Sequence, residues 1–381
     1  MKTVCKTNMC TGCAACVESC PKEAVSLQDT MKSMNAIIDN GKCINCGACV
    51  RVCQQMNPLN LIRPISWFQG WSTDLKSREM SSSGGFAYQI MEQFVEDGGA
   101  VCSCVFESGE FNYKVVYHKE ELNKFRGSKY IKSDPKTVYS TVKKLIKSGN
   151  RVLFVGLPCH VAAIRKYIGD DNNEQLYTVD LICHGTPSKW ILTEFLKEKG
   201  VSIDSLSDIT FRQKNRFRVL TKGTNNREES GITPSGIRDR YTIGFLNGLF
   251  YTFNCYHCEY AGLERVSDIT IGDSWGSDLE ETEEGRKGIS LALCQTKRGE
   301  ELLRRSSVKL INVDLEKAIA ANHQLREPSR MSDERDKFFS LVEAGVSINR
   351  AISKCYPKTC GRQDIKALLA KLHFKRWGDE H

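Results

Sequence analysis

The sequence predicts a mixed α/β protein (α+β in its overall layout) with three parts: a small cysteine-rich module, an α/β core and a helical tail. Eight of the 18 cysteines lie in two short runs within the first 60 residues. Near the middle of the chain, two apolar strand patterns are each followed by a turn and a helix, as in an α/β sheet. A chain of 381 residues has room for roughly two to three domains. We divide it into residues 1–60, 61–300 and 301–381.

The cysteine-rich module contains two copies of one spacing, C-x-x-C-x-x-C-x-x-x-C. This spacing lets three thiolates of a run bind one 4Fe-4S cluster while the fourth binds the neighbouring cluster. Zinc sites instead use pairs separated by a longer loop. The first 60 residues therefore predict a bacterial ferredoxin-like module, with short helices after each run and a strand at residues 36–39. The expected ligands are Cys10, Cys13, Cys16 and Cys53 for one cluster, and Cys43, Cys46, Cys49 and Cys20 for the other.

Cys5 lies outside both runs. A buried structural thiol is the preferred interpretation, and a ligand role is the alternative.

The composition limits the kinds of partner. The net charge of +8 comes without a long basic run, so it fits an anionic cofactor or an acidic redox partner and gives no sign of nucleic-acid binding. No stretch approaches the ~18 consecutive apolar residues of a membrane span, and the first residues lack the apolar core of a signal peptide. We expect a cytoplasmic protein without a membrane span. Its oligomeric state is open, and a homo-oligomer is one alternative.

The core begins after a linker with two prolines at residues 57–64. Serines and glycines at residues 81–85 precede apolar residues at helical spacing, so they predict a helix N-terminus that offers free amides to an anion. An ordinary serine cap explains this segment equally well. Residues 127–133 combine a glycine with lysines and serines and are a second candidate anion site. Their alternative is a solvated turn before a helix at residues 135–147.

Four cysteines of the core follow predicted turns. Strands at residues 151–156 and 176–183 lead to Cys159 and Cys183, at the edge where functional groups of α/β sheets gather. Cys255 and Cys258 form a further C-x-x-C. Four thiols suffice for one more site, which holds either an iron–sulfur cluster or zinc.

The remaining elements are less informative. A hairpin is predicted at residues 100–106 and 113–118, a strand ending near residue 273 and another at residues 289–296. The polar residues 223–236 predict a mobile loop, and residues 299–381 predict mostly amphipathic helix with a solvated basic end.

Several motifs together resemble the coenzyme F-420 hydrogenase/dehydrogenase beta subunit family, preceded by a two-cluster ferredoxin. Two residues depart from the family pattern, because His160 and Lys132 stand where glutamine is frequent. Neither departure removes a ligand. The motifs are SSSGG at residues 81–85, GSKYIKS at 127–133, GLPCH at 156–160, DLICHGTPS at 180–188, CYHC at 255–258 and DITIGDSWG at 268–276.

The resemblance implies an α/β core that binds FAD and a third 4Fe-4S cluster. The implied ligands of this cluster are Cys159, Cys183, Cys255 and Cys258. His184 and Lys129 are candidate catalytic residues, with Arg212, Lys214 and Asp273 as further polar groups near the flavin. The implied FAD-binding residues are Ser82, Ser83, Gly84, Gly85, Gly127, Ser128, Lys129, Tyr130 and Ser133.

The implied function is that of an iron–sulfur flavoprotein oxidoreductase, linked to F-420 or ferredoxin. Electrons pass between ferredoxin-type clusters and a small organic hydride donor or acceptor through FAD, with ferredoxin or another redox protein as partner. One alternative is a non-catalytic electron-transfer subunit that connects a partner enzyme to a ferredoxin pool. Another is a zinc-stabilised scaffold. Because one fold serves several substrates, the family does not identify the substrate or the direction of electron flow.

Overall fold

The computed structural model describes residues 2–169, 174–224 and 230–372, and these form three β-sheets surrounded by helices. The strands are β1 Lys2–Thr3, β2 Val25–Asp29, β3 Met34–Ile38, β4 Ser66–Ser72, β5 Ala100–Glu107, β6 Glu110–Val116, β7 Val152–Gly156, β8 Leu176–Leu181, β9 Leu206–Gln213, β10 Arg216–Gly223, β11 Ser230–Gly231, β12 Ile269–Asp273, β13 Ser290–Cys294 and β14 Val308–Ile311.

The α-helices of the described residues are mostly short. They are α1 Ala15–Glu18, α2 Ala48–Arg51, α3 Leu75–Glu79, α4 Phe86–Glu96, α5 Val138–Lys147, α6 Pro158–Ile168, α7 Lys189–Lys197, α8 Arg240–Leu246, α9 Glu283–Arg286, α10 Lys297–Arg305, α11 Leu315–Ala321, α12 Arg335–Glu343, α13 Ile348–Cys355 and α14 Pro357–Lys371. Short 3-10 turns accompany them at Lys119–Phe125, Ile203–Ser205, Phe253–His257 and His323–Leu325. In the part of the chain described, no helix has the length and apolar character needed to span a membrane.

The central sheet has eight strands in the order β14-β4-β13-β12-β8-β7-β5-β6. Strands β5, β7, β8 and β12 run parallel to one another, so the carboxyl ends of β7, β8 and β12 meet at one edge, here called the carboxyl edge. Apolar residues of α4 and α10 cover one face, and those of α5 and α6 cover the other. The predicted α/β core is confirmed, and the sheet positions its loops at the carboxyl edge.

A smaller layer packs beside this sheet. Strands β9, β10 and β11 form an antiparallel sheet, and its core is shared with α7, α8, α12 and α13. The C-terminal helices therefore belong to the packing of the core.

The N-terminal module is a three-stranded sheet, β1-β3-β2, with α1 and α2 on the two cysteine runs. Each helix starts from a left-handed residue, Ala14 or Gly47, with φ of 60° and 71°. The helices begin inside the runs, whereas the prediction placed them after the runs. The reason is that the third cysteine of each run already lies in the helix, at Cys16 and Cys49.

Within the central sheet, the structure adds two strands that the sequence patterns did not predict, β4 and β14, which pair with each other. The described part of the predicted loop at residues 223–236 contains β11, and residues 225–229 lie outside the described residues. Helix α10 crosses the predicted boundary at residue 300.

Candidate redox centre

The four core cysteines come from three separate elements and converge at the carboxyl edge. Cys159 lies in the first turn of α6, Cys183 follows β8, and Cys255 and Cys258 lie at the Phe253–His257 turn. Burial, together with repulsion from the thiolates of Cys255 and Cys258, raises the pKa of Cys183 to about 12. Burial and neighbouring thiolates also raise the pKa of Cys159. A buried group of mutually repelling thiolates is an environment that a positively charged metal core neutralises.

Hydrogen-bond donors surround one of these sulfurs. The main-chain N–H of Thr186 donates to Cys255 Sγ at 3.4 Å, and the Asn254 side-chain amide donates at 3.7 Å. The Thr252 hydroxyl lies 3.5 Å from the same sulfur. Hydrogen bonds to ligating sulfurs tune the potential of iron–sulfur clusters, so this arrangement fits a cluster ligand.

The first N-terminal site is a buried cavity whose lining includes Cys10, Cys13, Cys16 and Cys53. In the second run, Cys20 and Cys43 are the thiolates that act on Cys49. The structure thus places Cys53 with the first run and Cys20 with the second, which is the exchange expected from the spacing. The main-chain N–H of Gly12 donates to Cys10 Sγ at 3.4 Å, and that of Asn45 donates to Cys43 Sγ at 3.4 Å.

The described residues contain no group of three or more His, Cys, Asp and Glu side chains arranged to hold a single metal ion.

Cys5 is a fifth cysteine of the first cavity. Its buried thiol hydrogen-bonds to the sulfurs of Cys10 and Cys53, and this contact lowers the pKa of both of those cysteines. The cysteine pattern gives no sign of this neighbourhood, because Cys5 lies outside the repeated spacing.

The two segments expected to bind FAD lie against each other. The main-chain N–H of Ser128 donates to the Ser82 hydroxyl at 3.3 Å. The Ser83 hydroxyl donates to the Ile289 carbonyl at 2.9 Å, just before β13. Helix α4 starts at Phe86 without a side-chain cap, so its N-terminal amides suit an anion such as a pyrophosphate. The fit of these residues to a dinucleotide therefore rests on an uncapped helix and two converging loops.

Tight packing explains why glycines occur in the serine–glycine segment at residues 81–85. A Cβ on Gly84 would lie 2.5 Å from both the Gly70 carbonyl oxygen and the Ser290 amide nitrogen. Gly85 has φ of +98°, a conformation that other residues rarely adopt. Gly84 therefore lets the chain pack closely onto the paired strands β4 and β13.

Charged residues from two strands complete this side of the carboxyl edge. Arg212 at the end of β9 forms a bidentate ion pair with Asp273 at the end of β12, with Nη2 and Oδ1 2.8 Å apart. The Arg212 guanidinium also lies 5.3 Å from the centre of the Trp275 ring. His184 is exposed on one side, while partial desolvation on the other lowers its pKa and the Asp273 carboxylate opposes that shift.

Three other predicted residues turn toward the protein. The Lys129 ammonium donates to the carbonyls of Phe125, Arg126 and Gly127 at 3.1, 2.7 and 3.2 Å, which occupies its three protons. The Tyr130 ring stacks on Phe245 with 4.5 Å between ring centres. Ser133 is buried, and its hydroxyl contacts the Cys104 thiol. These contacts favour a structural role for Lys129 and Ser133.

Arg78 lies three residues before the serine–glycine segment, and the sequence motifs assign it no role. Arg78 is buried and donates to the carbonyls of Glu284 and Gly288 at 2.6 and 3.0 Å. It fixes the serine–glycine segment to the loop before β13. Its closeness to that segment in the sequence is the sign that could have identified this role.

Two family models match the chain. Residues 149–316 match the model that describes the C terminus of the beta subunit of coenzyme F420 hydrogenase/dehydrogenase. Residues 9–57 match the 4Fe-4S dicluster domain. All twelve proposed cluster cysteines lie within these two ranges, whereas the serine–glycine and Gly127–Ser133 segments lie outside them.

Among solved structures, thirteen chains match. One is a chain of the F420-reducing [NiFe] hydrogenase complex from Methanosarcina barkeri, studied by xenon derivatization. It is 18% identical, and the match covers 71% of this chain and 97% of that chain with a TM-score of 0.47. No curated protein matches the sequence.

Proposed function

We propose that the chain is an iron–sulfur flavoprotein oxidoreductase, because residues 149–316 match the model for the C terminus of the coenzyme F420 hydrogenase/dehydrogenase beta subunit and residues 9–57 match a 4Fe-4S dicluster domain. It is an iron–sulfur protein of electron transfer. The proposal adds FAD, a third cluster and catalysis: hydride exchange with a small organic molecule in the core, and electron exchange with ferredoxin or another redox protein at the N-terminal module.

The contact between the Ser128 amide and the Ser82 hydroxyl is the observation that carries the flavin part of this proposal. It joins two loops that are 46 residues apart in the chain. Together with the uncapped start of α4, these loops offer hydroxyls and main-chain amides from two sides. The four core cysteines lie at the carboxyl edge of the same sheet, so a flavin held there is close to the proposed core cluster.

The protein residues have distinct tasks in this proposal. When bound, FAD supplies the ability to take or give a hydride on one side and single electrons on the other. Ser82 and Ser128 would hold its polar groups, and the α4 N-terminus would suit its pyrophosphate. The Ser83 hydroxyl already donates to the Ile289 carbonyl. His184 is the better placed of the two candidate proton donors, because Lys129 already donates its protons to carbonyls.

The proposed cluster with Cys46 is where protein partners exchange electrons. Cys46 is exposed, whereas Cys10, Cys13, Cys16 and Cys53 of the other N-terminal site are buried. Electron transfer with a protein partner requires a cluster near the surface, and the exposed site meets that need. The buried site then connects it to the core. The cytoplasmic location stays a prediction.

Cofactor analysis after anaerobic purification tests the proposal. We expect about twelve iron per chain, from three four-iron clusters, and one FAD. Ser82→Leu should lose FAD and keep the iron, since leucine blocks the space beside Ser128 without touching a cysteine. Ser148→Leu, at an exposed helix end, is the matched control and should keep both. Eight iron with zinc and no flavin would refute the cofactor assignment.

Turnover assays separate catalysis from a simple relay. The purified protein is mixed with reduced ferredoxin and, in turn, oxidised deazaflavin, nicotinamide or another hydride acceptor. Turnover with ferredoxin as the only other protein present supports the oxidoreductase. A fully loaded protein that reduces none of the acceptors, yet passes electrons to a partner enzyme, supports the non-catalytic electron-transfer role instead.

A further inference from the structure

We propose that Lys132 is an electrostatic bridge between two cluster sites: its ammonium raises the reduction potentials of the buried N-terminal cluster and of the core cluster together. This inference rests on the proposed function for the presence of the three clusters.

Lys132 is tied to the buried N-terminal site by its side chain. Its Nζ donates to the Thr11 carbonyl at 2.8 Å, and Thr11 lies between Cys10 and Cys13. Its aliphatic stem packs on Gly12, where a Cβ would lie 2.9 Å from Lys132 Cδ. The ammonium is therefore held against the loop that carries the first two ligands.

Lys132 is tied to the core site by its main chain. Its N–H donates to the Pro187 carbonyl at 3.0 Å, in the loop that follows Cys183. The neighbouring Thr186 donates to Cys255 Sγ at 3.4 Å. The same residue thus touches the ligand loops of both sites.

The electrostatics of the thiols agree with this placement. The Lys132 ammonium acts electrostatically on Cys10 in the first site, and on Cys159 and Cys183 in the core. These cysteines belong to two different ligand sets. One positive charge therefore acts on both sites through partly buried protein, where screening by solvent is weak.

The two sites also pack directly on each other. The Tyr139 hydroxyl donates to the Cys13 carbonyl at 2.9 Å, and the Tyr139 ring belongs to the apolar group that includes Cys13 and Cys159. The Gln54 side-chain amide donates to the Thr11 hydroxyl at 2.9 Å, while its carbonyl oxygen accepts from Tyr260. Direct protein contacts therefore join the two ligand groups.

The charge has a direct effect on electron transfer. Each cluster gains one electron and hence one negative charge on reduction, and a nearby cation stabilises the reduced form. Net charge around a cluster is one of the factors that set its potential. Lys132 acts on two clusters at once, so the same charge stabilises the reduced form of both.

The test is a redox titration of the three clusters, followed by electron paramagnetic resonance, in the anaerobically purified full chain. Lys132→Gln and Lys132→Met remove the charge, and Met keeps the apolar stem. We expect two of the three reduction equilibria to become about tenfold less favourable, which for one electron is about 59 mV, while the third stays unchanged. Lys132→Arg should keep all three. Lys147→Gln removes an exposed lysine from the same domain and should also change none.

Two results from the variants would overturn the inference. One is a wild-type content of iron in Lys132→Gln and Lys132→Met with all three potentials unchanged. The other is a shift of the reduction potentials in Lys132→Arg that is as large as the shift in Lys132→Gln and Lys132→Met. A measurement on the wild type is independent of the variants: partial reduction should give magnetic interaction between one N-terminal cluster and the core cluster, and its absence also contradicts the inference. A wild type with fewer than three clusters would instead refute the proposed function.

Discussion

Lys214 is a lysine placed where its charge is costly. It sits at the turn between β9 and β10 with φ of +52°, and its ammonium donates to the Ser83 carbonyl at 2.8 Å. Desolvation lowers its pKa to about 8, and the charges of Arg78 and Arg212 add to the shift. The unfolded chain, with a lysine pKa of about 10.4, binds more protons than the folded chain between these values. This residue's contribution to stability therefore rises with pH between about 8 and 10.4.

The same shift predicts a pH dependence of flavin binding. An anionic group beside Lys214 favours its charged form, so FAD should bind more weakly as the pH rises through about 8. We expect up to a roughly tenfold higher Kd at pH 9 than at pH 7, since only about a tenth of the lysine is charged at pH 9. Flavin fluorescence titrations measure this. Lys214→Arg should lose the dependence because arginine stays charged, and an unchanged pH profile in that variant would contradict the assignment.

At the scale of elements, the joint between α1 and α5 attaches the cysteine-rich module to the core. The Glu18 carboxylate at the end of α1 accepts hydrogen bonds from the main-chain N–H groups of Tyr139 and Ser140, at 3.2 and 2.6 Å. Glu18 therefore caps α5, because the N-cap residue of that helix makes no side-chain hydrogen bond to its first turn. A carboxylate at a helix N-terminus also meets the favourable end of the helix dipole.

Glu18→Ala should loosen this joint. Loss of a capping side chain costs about 1 kcal/mol, which is about a fivefold increase in the opening of the segment. Hydrogen exchange of α1 and of the first turn of α5 should rise accordingly, while the iron content stays the same. Glu120→Ala, at an exposed position of the core, should leave the exchange of both segments unchanged. If hydrogen exchange in Glu18→Ala equals that of the wild type, other contacts hold the module on the core.

Much of this element layout was predictable, and the exceptions have physical reasons. The buried strand β7 is a continuous apolar run, and β8 repeats the same order of strand, turn and helix. The cysteine spacing identifies the module without any tertiary contact. Strand β4 breaks its apolar pattern with Gln69 and Gly70, and its partners β13 and β14 lie more than 200 residues away. The approach of Lys132 to Thr11 spans 121 residues, so local spacing carries no signal of it.

At the scale of the whole molecule, the proposed cluster sites run from the surface to the carboxyl edge. Apolar side chains flank the outer site: Ile44 is 57% exposed, Met56 48% and Val50 37%. They lie in the same stretch of chain as the exposed Cys46. Such a patch suits brief docking of a redox protein, because transient partners use small apolar contacts.

Ile44→Lys should therefore weaken exchange with a protein partner. We expect about a tenfold higher KM for reduced ferredoxin, equal to about 1.4 kcal/mol, with unchanged reduction by a small chemical reductant. Stopped-flow kinetics distinguish the two electron donors. Ile365→Lys, on the exposed face of α14, provides the same chemical change away from the clusters and should have no effect. An equal loss with both donors would point to damage of the cluster itself.

The difference in exposure between Cys46 and the buried cysteines also predicts the order in which oxygen destroys the proposed clusters. Oxidants reach exposed thiolate sulfur first, so the outer cluster should be destroyed while Cys10, Cys13 and Cys16 are still shielded. A chain damaged in this way is cut off from its protein partners before its interior chemistry fails. Loss of the proposed outer cluster would thus stop electron exchange with partner proteins before the inner sites are oxidised.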